Sequence, residues 1–259
     1  MRSYGLIGKK LTHSFSPRFF AEKFSRENIT DAEYKAWEIA DISEVENLLN
    51  SYADLQGFNV TIPYKKEIIP YCDKVTGPAE KIGAVNTVLV ERAPKSVDTR
   101  FSGFYLTGFN TDVIGFHKAI RHLIQPYFER ALILGTGGSS QAVSYVLKEL
   151  GIQPLYVTRN PRQRNEIAWK DLNRYVIEFH PFIINTTPLG QFPHISEKPD
   201  IPYEFITSKH LLFDLIYNPE ETMFLKLGRA HGAETQNGYN MLIFQAEESW
   251  KIWNQVDLK

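Results

Sequence analysis

The chain has 259 residues, 43% of them hydrophobic and 23% charged, the balance of a folded globular protein and not of a disordered one. Its formal net charge of -1 supplies no global field for nucleic acid or anionic membrane, so any anionic ligand must be met by local groups. One cysteine, Cys72, excludes an intrachain disulfide and points to a reducing compartment.

The length suits two compact domains better than one core. Residues 4–8 read as a first strand. Lys9 and Lys10 then break the N-terminal apolar stretch, no signal peptide or membrane-length run is visible, and a cytoplasmic location is expected. Residues 9–17, KKLTHSFSP, form a polar loop with Thr12, His13, Ser14 and Ser16. Phe19, Phe20 and Phe24 give residues 18–26 an apolar helical face after Pro17. Ser14 and Ser16 suit two jobs: capping that helix, or holding a carboxylate with two hydroxyls and the N–H groups of a helix start.

Residues 34–39 alternate as a second strand, and 42–52 read as a helix capped by Asp41 or Ser43. Residues 54–63, DLQGFNVTIP, form a strand with one polar edge, because Phe58, Val60 and Ile62 alternate with Asn59, Thr61 and Pro63. Tyr64-Lys65-Lys66 follows and opens a predicted helix carrying Ile68 and Ile69. Lys65 thus stands at the C-terminal end of a strand, where α/β sheets place their ligand clefts, although a lysine taken alone is more often an exposed cation. Residues 82–89 are again strand-like, and a buried Asn86 there must find partners in backbone or ligand. Residues 91–103 are a polar hairpin tip. Asn110-Thr111-Asp112 caps a helix running to about Gln125, and Asp112 as a plain first-turn acid would contribute about 0.3–1 kcal/mol against the helix dipole.

Residues 130–150, RALILGTGGSSQAVSYVLKEL, organise the second half. An apolar run stops at Gly135-Thr136-Gly137-Gly138 and helical spacing resumes from Gln141, the strand–turn–helix order of a dinucleotide-binding βα unit. Gly135 permits the tight turn, and Gly137 removes a Cβ where a pyrophosphate approaches a helix start. Ser140 stands at the third glycine position. After the next strand, 154–157, an NAD site wants a carboxylate about 20 residues past the glycines. Arg159, Arg162 and Arg164 cluster there instead, and the first carboxylate is Glu166. Guanidinium groups match a phosphate, which favours NADP. Residues 182–187 and 211–217 are further strands, so residues 130–235 predict a mostly parallel sheet covered by helices. A last helix, 241–255, places Leu242, Ala246, Trp250 and Trp253 on one face. No metal site is expected, because the seven histidines have no ligand spacing.

Eight short stretches, in order, resemble the shikimate dehydrogenase family over nearly the whole chain. They are HSFSP at 13–17, NVTIPYK at 59–65, AVNT at 84–87, GFNTD at 108–112, GTGGSS at 135–140, INTTPLG at 184–190, DLIYNPEET at 214–222 and GYNMLIFQA at 238–246. The resemblance implies an α/β substrate domain at 1–108 with 238–259, a Rossmann-like doubly wound nucleotide domain at 109–237, and a last helix that returns to the first domain. It implies reversible NADPH-dependent reduction of 3-dehydroshikimate to shikimate, in the route to chorismate and aromatic amino acids, by a cytoplasmic monomer or homodimer with no nucleic-acid or membrane partner. Carried over residue by residue, Lys65 and Asp112 would be the catalytic pair. Ser14 and Ser16 would hold the substrate carboxylate, and Asn59, Thr61, Asn86 and Gln245 its hydroxyls, with Tyr217 near the substrate. Gly135, Gly137, Gly138, Ser139, Arg159, Thr187 and Gly238 would hold NADP.

Three places depart from the family pattern: Thr158-Arg159-Asn160 where Asn-Arg-Thr is usual, Phe20-Ala21 where His-Asn is common, and a longer tip at 91–103. Three other readings are weaker. An NAD-using quinate/shikimate dehydrogenase wants an acid where Arg159 stands. A non-catalytic metabolite-binding regulator would have lost Lys65 or Asp112, and a folate-derivative dehydrogenase leaves Ser14 and Ser16 without a job.

Overall fold

The computed structural model describes residues 1–12, 14–94 and 96–255; His13 of the HSFSP stretch and Lys95 of the tip lie outside them. By its internal contacts the chain divides into two compact units, Met1–Thr111 with Gln245–Lys259, and Asp112–Phe244. The division falls downstream of the expected 108 and 238. Phe109 still pairs with Thr87 in the first sheet, and Asn110 donates to the Ala84 carbonyl at 2.9 Å, which keeps the chain in the first unit through Thr111.

The chain runs β1 (Arg2–Gly8), α1 (Ser16–Arg26), β2 (Ala32–Glu38), α2 (Val45–Ser51), β3 (Leu55–Val60), β4 (Lys74–Val75), α3 (Pro78–Ile82), β5 (Thr87–Arg92) and β6 (Phe104–Phe109). It continues through α4 (Thr111–Ile120), β7 (Arg130–Leu134), α5 (Gly138–Glu149), β8 (Gln153–Thr158), β9 (Glu166–Ala168), α6 (Arg174–Phe179) and β10 (Phe182–Asn185). β11 (Leu211–Asp214), α7 (Met223–Ala230), β12 (Glu234–Gln236) and α8 (Tyr239–Trp253) complete it. The α/β class and the doubly wound second sheet are as expected. Several local expectations are corrected. Residues 62–68 form successive turns and not a helix: Tyr64 N–H bonds the Thr61 carbonyl and Ile69 N–H the Lys66 carbonyl, each three residues back, Pro70 has no N–H to continue a helix, and only a 3-10 turn, Ile69–Tyr71, follows. Residues 82–86 precede β5 and do not belong to it: α3 ends at Ile82, and Gly83 turns the chain with φ of 67°. The helix expected to reach Gln125 stops at Ile120.

The first unit is a mixed sheet in the order β2-β1-β3-β5-β6-β4, in which β3 lies parallel to β1 and antiparallel to β5. Asn59 therefore pairs with Leu6 on one side and Thr87 on the other. One face buries Ile7, Phe58, Val60, Val88 and Leu106 against Val45, Leu49 and Ile68. The end of α8 closes the other face. Trp253 stacks on Tyr4 with ring centroids 5.0 Å apart, and its indole N–H donates to the Val88 carbonyl at 3.0 Å. A Cβ at Gly57 would overlap the Trp253 ring, which is why β3 carries a glycine there. Cys72 is buried, and burial pushes its thiol up to about 12, so it is a packing residue and not a reactive one.

The second unit is a parallel sheet in the order β12-β11-β10-β7-β8-β9, with its strand order reversing between β7 and β10. Its near-continuous apolar strands are buried on both faces, as a helix-covered parallel sheet requires. Because Trp253 belongs to the first unit's core, Trp253→Ala is expected to lower stability by about 3–5 kcal/mol, as large core truncations do. Urea unfolding followed by circular dichroism measures it; a loss below about 1 kcal/mol would show that α8 is an appendage and not part of that core.

Candidate active site

In the first unit the expected substrate groups lie at the C-terminal ends of β1 and β3, at the start of β5, and on α8. Ser16 opens α1, buried, and Ser14 is half-buried just before it. The residue that caps α1 is Phe15, which contributes no side-chain bond, so among the described residues the serines do not act as its cap. Their hydroxyls stand beside the N–H groups of a helix start, the arrangement that accommodates a carboxylate. The Tyr34 hydroxyl donates to Asn59 Oδ1 at 2.8 Å. Burial pushes that phenol well above the ordinary tyrosine range, against a weaker opposing pull from Ser16.

The Asn59 carboxamide is buried at 4% exposure, and its Nδ2 faces Asn86 O at 3.2 Å, Thr87 Oγ1 at 3.0 Å and Ser249 Oγ at 2.9 Å. Two hydrogens thus meet three protein acceptors, while Oδ1, which accepts from Tyr34, has a second lone pair to which a hydroxyl can donate. Thr61, half-exposed just past β3, keeps an accessible position.

Asn86 is as buried as Asn59. Its Oδ1 accepts Thr111 N–H at 2.7 Å and its Nδ2 donates to Thr111 Oγ1 at 3.0 Å, satisfying an orphan donor where α4 begins. The neighbouring Val85 N–H donates to the Lys65 carbonyl at 2.7 Å. Lys65 is half-buried on the turns after β3, and Asp112 is buried in the first turn of α4. Gln245 is buried on α8; its Oε1 lies 3.4 Å from Thr111 Oγ1, and its carbonyl accepts the Ser249 hydroxyl at 3.0 Å. Thr87, Thr111 and Ser249, none singled out from sequence, are the joints of this network. Ser249 gives no sequence signal of its own, since it lies on the apolar side of a helix dominated by tryptophans.

In the second unit the glycine run makes the turn between β7 and α5. Gly135 has φ of 104°, a left-handed conformation that favours glycine, and faces Thr186 and Thr187. Gly137 caps α5 in extended backbone, and Cβ atoms built at Gly137 and Gly138 meet nothing within 4 Å. A phosphate can therefore approach the first N–H groups of α5, with half-buried Ser139 in its first turn. Ser140, fully buried, replaces the third glycine and donates its hydroxyl to Gly137 O at 2.6 Å, so the departure from the strict pattern is locally satisfied.

Arg159, Arg162 and Arg164 are all exposed on the loop after β8, and among the described residues none forms an ion pair. Glu166 is occupied by that loop, accepting Arg162 N–H at 2.6 Å and Gln163 N–H at 3.2 Å. The residues present thus fit an adenosine bearing a 2′-phosphate. Thr187, half-buried, follows β10 and donates its hydroxyl to Asn185 Oδ1 at 2.7 Å. Tyr217 is half-buried beyond β11. Gly238 is buried just before α8, where a Cβ would overlap the Leu215 carbonyl, so close backbone approach requires that glycine. Asp214, at the end of β11, is completely buried and hydrogen-bonded to Asn185, Ile216 and Thr222; burial nonetheless pushes its carboxyl up to about 6.

A cavity of about 590 Å³ opens at the opposite, N-terminal ends of these strands, beside Arg130, Phe179 and Lys209. Glu129 and Glu178 balance its cations, and it lies away from the glycine turn. No group of three or more metal-ligating side chains occurs among the described residues, and no helix among them is long and apolar enough to cross a membrane.

Comparison with known proteins agrees with this geometry. Residues 6–88 match the profile of the shikimate dehydrogenase substrate binding domain. A relative from Caldicellulosiruptor saccharolyticus, described as shikimate dehydrogenase (NADP(+)), is 34% identical over 275 residues, covering 99% of this chain and 93% of its own. The crystal structure of shikimate dehydrogenase 1 from Peptoclostridium difficile superposes with a TM-score of 0.81 at 34% identity, covering 100% of this chain and 94% of that one. Shikimate 5-dehydrogenase from Thermus thermophilus, solved with NADP(H) and shikimate, gives 0.81 at 28% identity, covering 99% and 94%. With identities of this size spanning nearly its full length, the chain belongs to the family of NADP-dependent shikimate dehydrogenases.

Proposed function

We propose that the protein catalyses the reversible reduction of the C=O group of 3-dehydroshikimate to the alcohol of shikimate, with Lys65 and Asp112 as its catalytic pair. The supporting observation is a short hydrogen-bonded path: Lys65 O to Val85 N–H at 2.7 Å, then, one residue on, Asn86 Oδ1 to Thr111 N–H at 2.7 Å. It ties the lysine turn to the residue immediately before Asp112. Ser14 and Ser16 hold the substrate carboxylate, and Asn59, Thr61, Asn86 and Gln245 orient its ring hydroxyls, with Tyr217 between the substrate and the nicotinamide. Gly135, Gly137, Gly138 and Ser139 receive the pyrophosphate, Arg159 the 2′-phosphate, and Thr187 and Gly238 shape the nicotinamide end.

NADPH, when bound, supplies the hydride. Its addition leaves charge on the former carbonyl oxygen, and the Lys65 ammonium both stabilises that oxygen and donates the proton to it. In the reverse direction the neutral amine takes the hydroxyl proton as the hydride leaves. Asp112 orients the amine. The near-zero net charge and the buried lone Cys72 fit a cytoplasmic enzyme of small molecules, monomeric or homodimeric and without a nucleic-acid partner.

Lys65→Met is expected to lower turnover by about a thousandfold, with KM for shikimate changing a few-fold, in a steady-state assay of reduced cofactor; such a loss is at the scale of a positioned acid–base group. Wild-type turnover at saturating substrate would end that assignment. Arg159→Gln removes a charge-assisted phosphate contact worth about 1.5–3 kcal/mol, so KM for NADP should rise roughly 10- to 100-fold while KM for NAD stays within twofold. Parallel rates with NADP and NAD, on shikimate and on quinate, check this and the choice of substrate; equal losses for both cofactors would remove Arg159 from the 2′-phosphate.

A further inference from the structure

The cofactor groups of the second unit come from separate loops at the C-terminal ends of β10 and β11 and at the start of α8. Thr187 follows β10, Tyr217 follows β11, and Gly238 precedes α8. Past the end of the ladder these loops keep only scattered backbone bonds, such as Leu215 N–H to the Asn185 carbonyl at 3.0 Å. One side chain is bonded to several of them. Asp214, the last residue of β11, sits in register with Asn185, the last residue of β10. Its Oδ1 accepts Asn185 Nδ2 at 3.0 Å and Ile216 N–H at 3.0 Å, and its Oδ2 accepts Thr222 Oγ1 at 2.7 Å.

Each bond leads to a loop. Asn185 turns its Oδ1 the other way, accepting Thr187 N–H at 3.0 Å and Thr187 Oγ1 at 2.7 Å. Thr187 is thereby held against Gly135, where a built Cβ lies 3.1 Å from its methyl group. Ile216 is the residue before Tyr217, and its carbonyl accepts Gly238 N–H at 3.1 Å. Thr222 caps α7 and fixes the far end of the 215–221 loop. A carboxylate with no exposed surface at the end of a strand is a costly choice for packing alone, and an apolar residue would fill that space more cheaply. Only an acceptor-only group serves three donors from three segments at once.

We infer that Asp214 is a positioning residue for the cofactor: through Asn185 it sets Thr187, and through Ile216 it sets Tyr217 and Gly238, so that the three loops present one surface to the nicotinamide half of NADP. This rests on the reading that Thr187 and Gly238 meet the cofactor and that Tyr217 lies between the nicotinamide and the substrate. In Asp214→Val the branched shape is roughly kept and all three acceptor contacts are lost, whereas Asp214→Asn would keep them, because the Thr222 hydroxyl can accept from an amide nitrogen at the Oδ2 position.

The test uses the full-length protein. NADP+ affinity is titrated by protein fluorescence, KM for shikimate is measured at saturating NADP+, and amide hydrogen exchange is followed at Thr187 and Ile216. For Asp214→Val the expected result is NADP+ binding weakened about tenfold or more, faster exchange at those two amides, and a change in KM for shikimate at least threefold smaller than the change in NADP+ affinity. Unchanged NADP+ affinity with only a lowered Tm would reduce Asp214 to a structural role and overturn the inference; so would equal weakening for both ligands. If Asp214→Val does not fold, Thr222→Val removes one of the three bonds, and a threefold or greater loss of NADP+ affinity is expected, wild-type affinity being the refutation. Failure of the wild type itself to bind NADP+ would instead overturn the cofactor reading, and the inference with it.

Discussion

The first unit depends on one buried carboxamide. Asn59 sits in β3, the strand shared by the parallel and antiparallel halves of the sheet, and its four hydrogen bonds reach β2, β5 and its approach, and α8. A polar side chain in that position is tolerable only if every donor finds a partner, since an unsatisfied buried amide costs about 1–3 kcal/mol. The requirement recruits Thr87 and Ser249, and they in turn fix Thr111 and Gln245. The network is thus a constraint on geometry: strands, helix start and last helix come together in the one arrangement that leaves no donor orphaned.

The second unit repeats the device with different residues. Asn185 ends β10 as Asn59 nearly ends β3, and again both sides of a carboxamide are engaged, the oxygen by Thr187 and the nitrogen by Asp214. In each case the strand's regular bonding runs out where function begins, and a buried amide extends order past the last ladder bond into the loops. Apolar packing alone would not do this, because it specifies volume and not direction.

Much of this is legible in the sequence, for physical reasons that differ by region. The glycine turn is readable because Gly135 must adopt a conformation that penalises other residues, and because apolar strand and helical spacing flank it. The parallel sheet is readable from runs such as FII and LLF, whose burial on both faces removes all alternation. By contrast β4, β9 and β12 are two or three residues long and carry no periodic signal. The turns at 62–68 read falsely as a helix because apolar Ile68 and Ile69 follow polar Lys65 and Lys66 at helical spacing, while Pro70, just beyond, removes the N–H that a helix would need. Asn59 enters as a ligand contact only through the family resemblance, and only the fold shows that Thr87 and Ser249, distant in sequence, also engage its Nδ2.

Cofactor preference shows how composition and geometry divide the work. A sequence can reveal that arginines follow β8 and that Glu166 comes next, yet a carboxylate there is also what an NAD site would use. What decides is the role the loop gives it. Glu166 accepts two backbone N–H groups of the turn at Arg162 and Gln163, and so its charge stabilises the loop that presents the guanidinium groups. The acid that looks like a competitor for a ribose hydroxyl is part of the scaffold of the loop that exposes three guanidinium groups. On the proposed role of Arg159, preference for a 2′-phosphate would rest on two conditions met together: cations exposed at the strand end, and the carboxylate of the same loop engaged by backbone donors.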